Sequence, residues 1–360
     1  MIKQDILSIG IGRCGNNLLN TLLSKDKRYL GLFVNSSLND MVSLSNYERS
    51  ANFLFPNTDG SGKNRDLADD FAKNNIHIFA DIIMRYKQIK LFTFFFSFDG
   101  GTGSGSASRL IQATKRLFPD KKIMVVGVLP RNNSSKISLE NSISCWNDIM
   151  SLKKDKIINT IKLIDNDACN SYDEINSNAI NDLDTSFSLN NFDISGAIDQ
   201  NDSFRINTAD GYSILLNLNN NHSSIEDAIE EAKEKSVFII PRNITECDYL
   251  GMLLQDGRYN VNESKDLFDV YKADFCGNSN GRNIIAIGGL EIPLNKIKKL
   301  KSSLHDLESK SSRRKESEEQ LFIDEYSVEK DIKEEKKVEV KSNTPTSADL
   351  ERIFNDDFWN

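Results

Sequence analysis

The sequence predicts an α/β protein: a mostly parallel sheet with helices on both faces, a long central helix, a smaller α/β unit, then a long charged helix and tail. Three observations predict it. Short apolar runs alternate with stretches of helical period through the first half, the pattern of a parallel sheet built from crossover units. Glycine-rich turns follow two of those runs, at 10–15 and 100–105, the strand ends where such sheets bind ligands. After Glu308 the composition turns to mixed Lys, Arg and Glu with few apolar residues, as a solvated helix and a disordered tail require.

In order, 6–11 reads as a strand, 16–23 as a helix and 30–35 as a second strand. Leu67, Phe71, Ile78, Ile82 and Ile83 recur near a helical period over 66–86. A buried strand is expected at 91–98, a helix at 107–117 and another strand at 123–129. Leu139, Ile143, Trp146 and Ile149 share one face of a helix starting near Ser138, and 160–164 is a strand. Ile175, Ala179, Leu183 and Phe187 form a stripe along one helix over 172–189, the expected hinge. Beyond it the expected strands are 212–218, 237–241 and 284–288, the helices 225–235 and 263–271. The predicted organisation is therefore 1–170, a central helix and loop at 171–204, a second α/β domain at 205–293, a charged helix at 294–320 and a tail at 321–360. Within the tail, 347–354 begins like a capping box and places Leu350, Ile353, Phe354 and Phe358 on one face, a docking motif.

The net charge of −8 argues against a chain that coats nucleic acid by itself. Cysteines at 14, 145, 169, 247 and 276 are irregularly spaced, as in a reducing cytosol, and no pair has metal-ligand spacing. The N-terminus runs directly into a strand, so no signal peptide is expected. The most apolar stretch, 91–98, falls far short of the ~20 residues of a membrane span. A soluble, cytoplasmic protein without a membrane partner is expected.

The chemistry concentrates in Gly100-Gly101-Thr102-Gly103-Ser104-Gly105, between a strand and a helix. Glycines let successive N–H groups face one anion, and the following helix N-terminus adds partial positive charge. Thr102 and Ser104 are candidate hydroxyl donors to phosphate. No Lys follows, which excludes a Walker-type loop. A flexible Gly/Ser linker does not fit between a strand and a helix.

The segment from Gly100 to Ser106 resembles the GGTGSG signature of the tubulin/FtsZ family. Gly10-Ile11-Gly12-Arg13-Cys14-Gly15-Asn16-Asn17 resembles that family's first glycine loop, with Gly12, Arg13, Cys14, Asn16 and Asn17 as candidate contacts. Taken alone, G-x-G-x-x-G also suggests a dinucleotide-binding oxidoreductase, but Asn35-Ser36-Ser37 stands where that fold wants an acid. Asn35 instead looks like the start of the FtsZ segment beside the nucleotide. Gly60, Ser61 and Gly62 fall where the family's γ-phosphate loop belongs. The resemblance implies a tubulin/FtsZ fold, GTP and GDP as ligands, Mg²⁺, and a GTPase. It further implies base recognition by Asn166 with Asn178 or Asn181, and a ribose loop at Asn133. FtsZ has a Glu in that loop and an Arg soon after it, and Ser134 and Ser138 stand nearest those places.

In this family the catalytic acid comes from the next subunit, on the loop after the central helix. Asp193 follows the helix immediately; Asp199 and Asp202 keep a D-x-x-D spacing. Asp193 is the favoured placement because it follows the helix directly, and the Asp199–Asp202 pair is the alternative. Hydrolysis shared between subunits implies a head-to-tail filament whose GTPase rises with assembly. Within the family the chain resembles the TubZ branch of plasmid and phage partition systems, clostridial phage type. That likeness implies a TubR-like DNA-binding adaptor held by the tail, and no direct nucleic-acid contact. The alternative is a divergent FtsZ-like division protein; the final acidic-aromatic residues, 354–360, lack the FtsZ tail peptide.

Overall fold

The computed structural model describes residues 3–319, with side chains through 313. The expected tail and its motif at 347–354 lie outside the described residues. Met1–Glu308 is one compact unit.

The first half is a run of crossover units: β1 (Ile6–Ile11), α1 (Gly12–Lys25), β2 (Leu30–Asn35), α2 (Asn39–Val42), β3 (Ala51–Leu54), α3 (Arg65–Ile83), β4 (Leu91–Ser97), α4 (Thr102–Leu117), β5 (Lys122–Leu129), α5 (Lys136–Lys154) and β6 (Thr160–Asp165). The central helix α6 (Tyr172–Phe187) leads through a short turn to α7 (Gln200–Asn207) and β7 (Gly211–Leu218). Then come α8 (Ile225–Lys235), β8 (Glu246–Gln255), α9 (Val261–Lys265), β9 (Asp269–Ser279), β10 (Asn283–Leu290) and α10 (Asn295–Glu319).

One ten-stranded sheet has the order β3-β2-β1-β4-β5-β6-β7-β10-β8-β9. Pairing is parallel from β3 to β7, then antiparallel on both sides of β10. The join between β6 and β7 is only two residue pairs, Thr160 with Gly211 and Ile161 with Tyr212. The second α/β unit is therefore a continuation of the same sheet across a narrow seam. β4 shows why the parallel half is apolar throughout: Phe92, Phe94 and Phe96 enter the cluster of α3 and α4, while Leu91 and Phe95 enter that of α1 and α6. Both faces are covered, so no polar alternation survives.

Three expectations change. The helices expected from 16 and 107 begin at Gly12 and Thr102, so the glycine-rich turns are largely their first turns. Glycine is there for close packing: a Cβ on Gly105 would lie 2.3 Å from Arg65 O, and one on Gly103 3.0 Å from Ile11 O. The strand expected at 237–241 is a single antiparallel bridge, Phe238 with Ile164, flanked by Ile239 N–H donating to Leu163 O at 2.8 Å. The helix expected at 263–271 is the five-residue α9 followed by β9, an edge strand with many half-exposed positions. Side-chain alternation is weak at an edge, which is why β9 reads poorly.

Candidate functional site

Two helix N-termini open onto one cleft. α1 and α4 have no side-chain cap, as α2 and α5 also do not, whereas Asn64, Ser171, Asp199 and Ser224 cap α3, α6, α7 and α8. Uncapped termini keep N–H donors and partial positive charge for an anion. They lie side by side: Gly12 has φ +68°, and a Cβ on it would sit 3.1 Å from Gly103 N. The cleft measures 780 Å³, within the range of small-molecule sites.

Thr102 joins the loops around the anion end. Its Oγ1 is 2.7 Å from Ser36 Oγ and 3.1 Å from Ser61 Oγ, tying the ends of β2, the 60–62 turn and α4 together. Asn141, on α5, donates through Nδ2 to the carbonyls of Lys63 (2.9 Å), Asp99 (3.3 Å) and Gly100 (3.2 Å). With those carbonyls engaged by Asn141, N–H groups are left for the cleft. The approach is close enough that a Cβ on Gly101 would be 2.2 Å from Ser61 Oγ and 2.8 Å from Lys63 Cα. A buried polar atom without a partner lies in the cleft lining, Nδ2 of Asn35, whose Oδ1 accepts from Ser36 N–H. Such an atom fits a polar ligand.

At the other end, Asn166 follows β6. Its N–H donates to Leu129 O (3.2 Å) and its carbonyl accepts from Arg131 Nε (3.1 Å). The Arg131 guanidinium stacks 4.6 Å from the centre of the Tyr172 ring, and its Nη2 donates to Asn170 O at 2.7 Å. Tyr172, Asn176 and Asn17 complete that end. An aromatic face backed by a cation, with three amides around it, suits a purine.

Of the sequence candidates, Gly12, Arg13, Cys14, Asn17, Asn35, Gly60, Ser61, Gly62, Gly100, Gly101, Thr102, Gly103 and Asn166 line the cleft. The others stand elsewhere. Ser104 is buried and outside the cleft lining, and its hydroxyl donates to Gly100 O in the loop just before α4. Asn16 is fully buried and does not line the cleft. Asn178 and Asn181 are exposed and line other cavities, near Asp182 and Asn217. Asn133 is exposed and outside the lining. Sequence reasoning missed Tyr172 and Asn176 as site residues. They are four apart on α6 and off the Ile175–Ala179–Leu183 stripe, a spacing that marks one cleft-facing side. Asp40 and Asp99 are the cleft's carboxylates. Burial, helped by the charge of Asp99, pushes the Cys14 thiol up to about 12, so it is an unreactive neutral thiol.

None of the three candidate acids lines the cleft. Asp193 serves its own loop: Oδ1 accepts from Ser195 N–H (2.8 Å) and Oγ–H (2.7 Å), and Oδ2 from Ile198 N–H (2.6 Å). Burial disfavours its charge, but those donors outweigh it and hold the carboxyl below its usual range. Asp202 accepts from Asp199 N–H (3.0 Å) and is raised by burial. Asp199 is exposed and caps α7 through Oδ1 alone, accepting from Asn201 N–H (2.7 Å) and Asp202 N–H (2.8 Å).

The family model for the Tubulin/FtsZ family, GTPase domain, matches residues 5–173. That span contains both helices, α1 and α4, whose N-termini open onto the cleft. Residues 5–173 thus match that family's GTPase domain, and the chain has the tubulin/FtsZ fold. The tubulin-like protein TubZ of a Clostridium botulinum C phage is 26% identical over 291 residues, 81% of this chain and 80% of the relative. The solved tail-truncated TubZ of Clostridium botulinum phage c-st superposes with a TM-score of 0.79 at 25% identity, covering 86% of this chain and all of that one. A GTPγS-form protofilament of TubZ from Bacillus thuringiensis serovar israelensis shares the fold at TM-score 0.74 and 15% identity, over 87% of this chain and 94% of that one. Among the described residues, no helix is long and apolar enough to cross a membrane.

Proposed function

We propose that the chain binds GTP in this cleft and hydrolyses it when a second copy, stacked head to tail, supplies the loop after α6. The observation that carries the reading is the split between the phosphate end and the acids: the cleft has two open helix termini, yet Asp193, Asp199 and Asp202 are all outside it. The likeness to a protein solved as a protofilament supports self-assembly.

In this reading the α1 and α4 N-termini hold the phosphates, with Thr102 keeping the loops in register, and Gly60–Gly62 closes over the γ-phosphate. Tyr172 stacks on the base, while Asn17, Asn166 and Asn176 meet its polar edge. Mg²⁺, when bound, offsets phosphate charge; Asp40 and Asp99 are the carboxylates placed to hold it with the phosphates. Asp199 is the better candidate for orienting the attacking water. Asp199 is exposed at the start of α7, whereas both Asp193 oxygens accept from N–H groups of their own loop. The likeness to a phage TubZ supports filaments that segregate plasmid or phage DNA through a TubR-like adaptor on the tail.

The test is phosphate release against protein concentration, with sedimentation and light scattering in parallel. The rate per subunit should rise with concentration and pellet with polymer. A rate per subunit independent of concentration, with nothing sedimenting, rejects the shared site. A non-hydrolysable GTP analogue should turn a transient scattering signal into a lasting one.

A further inference from the structure

A lysine from the C-terminal helix is buried against the loop that presents Asn166. Lys296, in the first turn of α10, is 3% exposed, with Nζ 2.6 Å from Asp165 Oδ1 and 2.6 Å from Asp167 Oδ2. These aspartates flank Asn166 on either side. Asp165 Oδ1 also accepts the Asp167 N–H (2.9 Å), and Asp167 Oδ2 the Asn132 N–H (3.0 Å). The bonds that hold Asn166 itself are made by its backbone, to Leu129 and Arg131. Lys296 therefore closes a network around a base-facing amide from an element that does not line the cleft.

The charge balance points the same way. A buried ammonium persists only with compensating charge. Without Lys296, two carboxylates one residue apart would repel each other and disfavour an anionic nucleotide nearby. Burial acts to raise Asp167, but Lys296, the Asn132 N–H and Arg131 together outweigh it and hold the carboxyl below its usual range.

We propose that Lys296 is a positioning residue for base selectivity: by neutralising Asp165 and Asp167 it fixes the Asn166 amide, and so ties nucleotide recognition to the seating of α10. The proposal rests on the guanine-nucleotide reading of the cleft. α10 continues as one helix from Lys296 to Glu319. Coupling of this kind is reciprocal, so nucleotide binding would also steady the start of that helix.

Full-length wild type, Lys296→Met and Lys296→Arg are titrated with a ribose-labelled fluorescent GDP, then competed with GDP and with IDP, which lacks the 2-amino group. The Met variant should bind GDP at least about fivefold more weakly, the low end of ordinary inter-site coupling, and lose most of its preference for GDP over IDP. Arg should restore both. A Met variant that melts like wild type and keeps the same affinity and preference overturns the proposal. An equal loss for GDP and IDP with a lower melting temperature also overturns it, leaving Lys296 a structural clamp. If the Met variant fails to fold, Asp167→Asn decides, because it keeps the acceptor for Asn132 and removes the charge. A narrowed GDP-over-IDP preference supports the proposal and an unchanged one rejects it. Wild type that binds no guanine nucleotide would instead refute the reading of the cleft.

Discussion

Thr102→Val deletes one hydroxyl at nearly constant volume, and that hydroxyl joins three loops of the nucleotide cleft. Its two partners are Ser36 Oγ at 2.7 Å and Ser61 Oγ at 3.1 Å. A hydrogen bond contributes a net ~0.5–1.5 kcal/mol, so the pair contributes about 1–3 kcal/mol. Ser36 and Ser61 both line the cleft and can rebond to water, which favours the lower part of that range. A loss of about 1–1.4 kcal/mol in binding corresponds to about five- to tenfold weaker affinity. Ser61 belongs to the turn assigned to the γ-phosphate, so a GTP analogue should lose more than GDP. Isothermal titration calorimetry with both ligands, alongside thermal unfolding, measures this. Thr102→Ser keeps the hydroxyl and should remain close to wild type. Unchanged affinity of the Val variant for both ligands would refute the idea that Thr102 holds the loops in register.

Gly101→Ala places a Cβ 2.8 Å from the Lys63 backbone; nucleotide affinity should fall by about tenfold or more, from the usual cost of overpacking, with helical circular dichroism retained. Asp199→Ala should cut polymer GTPase by about a hundredfold, the low end for a lost acid–base group, while melting reflects only a lost cap; wild-type turnover in polymer would return the role to Asp193. Asp193→Asn should destabilise near neutral pH. The folded carboxyl lies below its usual range, so its stabilisation is present above that range and lost as pH falls through the lower folded value. The difference from wild type in chemical denaturation should therefore vanish on acidification. Lys162 is fully enclosed, with Ser213 O 3.2 Å away, the Phe238 ring centre 5.9 Å away and Asp182 nearby. Burial pushes its ammonium down to about 7, against ~10.4 when unfolded. This group's stabilisation is present above ~10.4 and lost as pH falls through about 7; Lys162→Met should flatten the rise in stability across that window.

The parallel half of the fold was legible because its strands are buried on both faces and its helices carry long stripes. The run 91–98 and the stripe of Ile175, Ala179 and Leu183 leave little choice of element. The second unit was less legible: β9 is an edge strand, and 237–241 meets only the last residues of β6, beyond the two pairs β6 makes with β7. At the site, glycine and Asn spacing located the phosphate end, since backbone approach needs those residue types in order. Position along α6 was harder to read. Asn178 and Asn181 have the right chemistry on the wrong side, and Tyr172 and Asn176 take the cleft instead.

By itself, then, the sequence determined the α/β class, the glycine loops at the strand ends and the resemblance to the tubulin/FtsZ fold, because these depend on short contiguous patterns. Only the tertiary structure decided which amides share the cleft with Tyr172, that Asp193 is bound up in its own loop, and that Lys296 reaches Asp165 and Asp167. Those depend on where distant segments cross, and a hydrogen bond formed over 129 residues, Lys296 to Asp167, leaves no local signal in the chain.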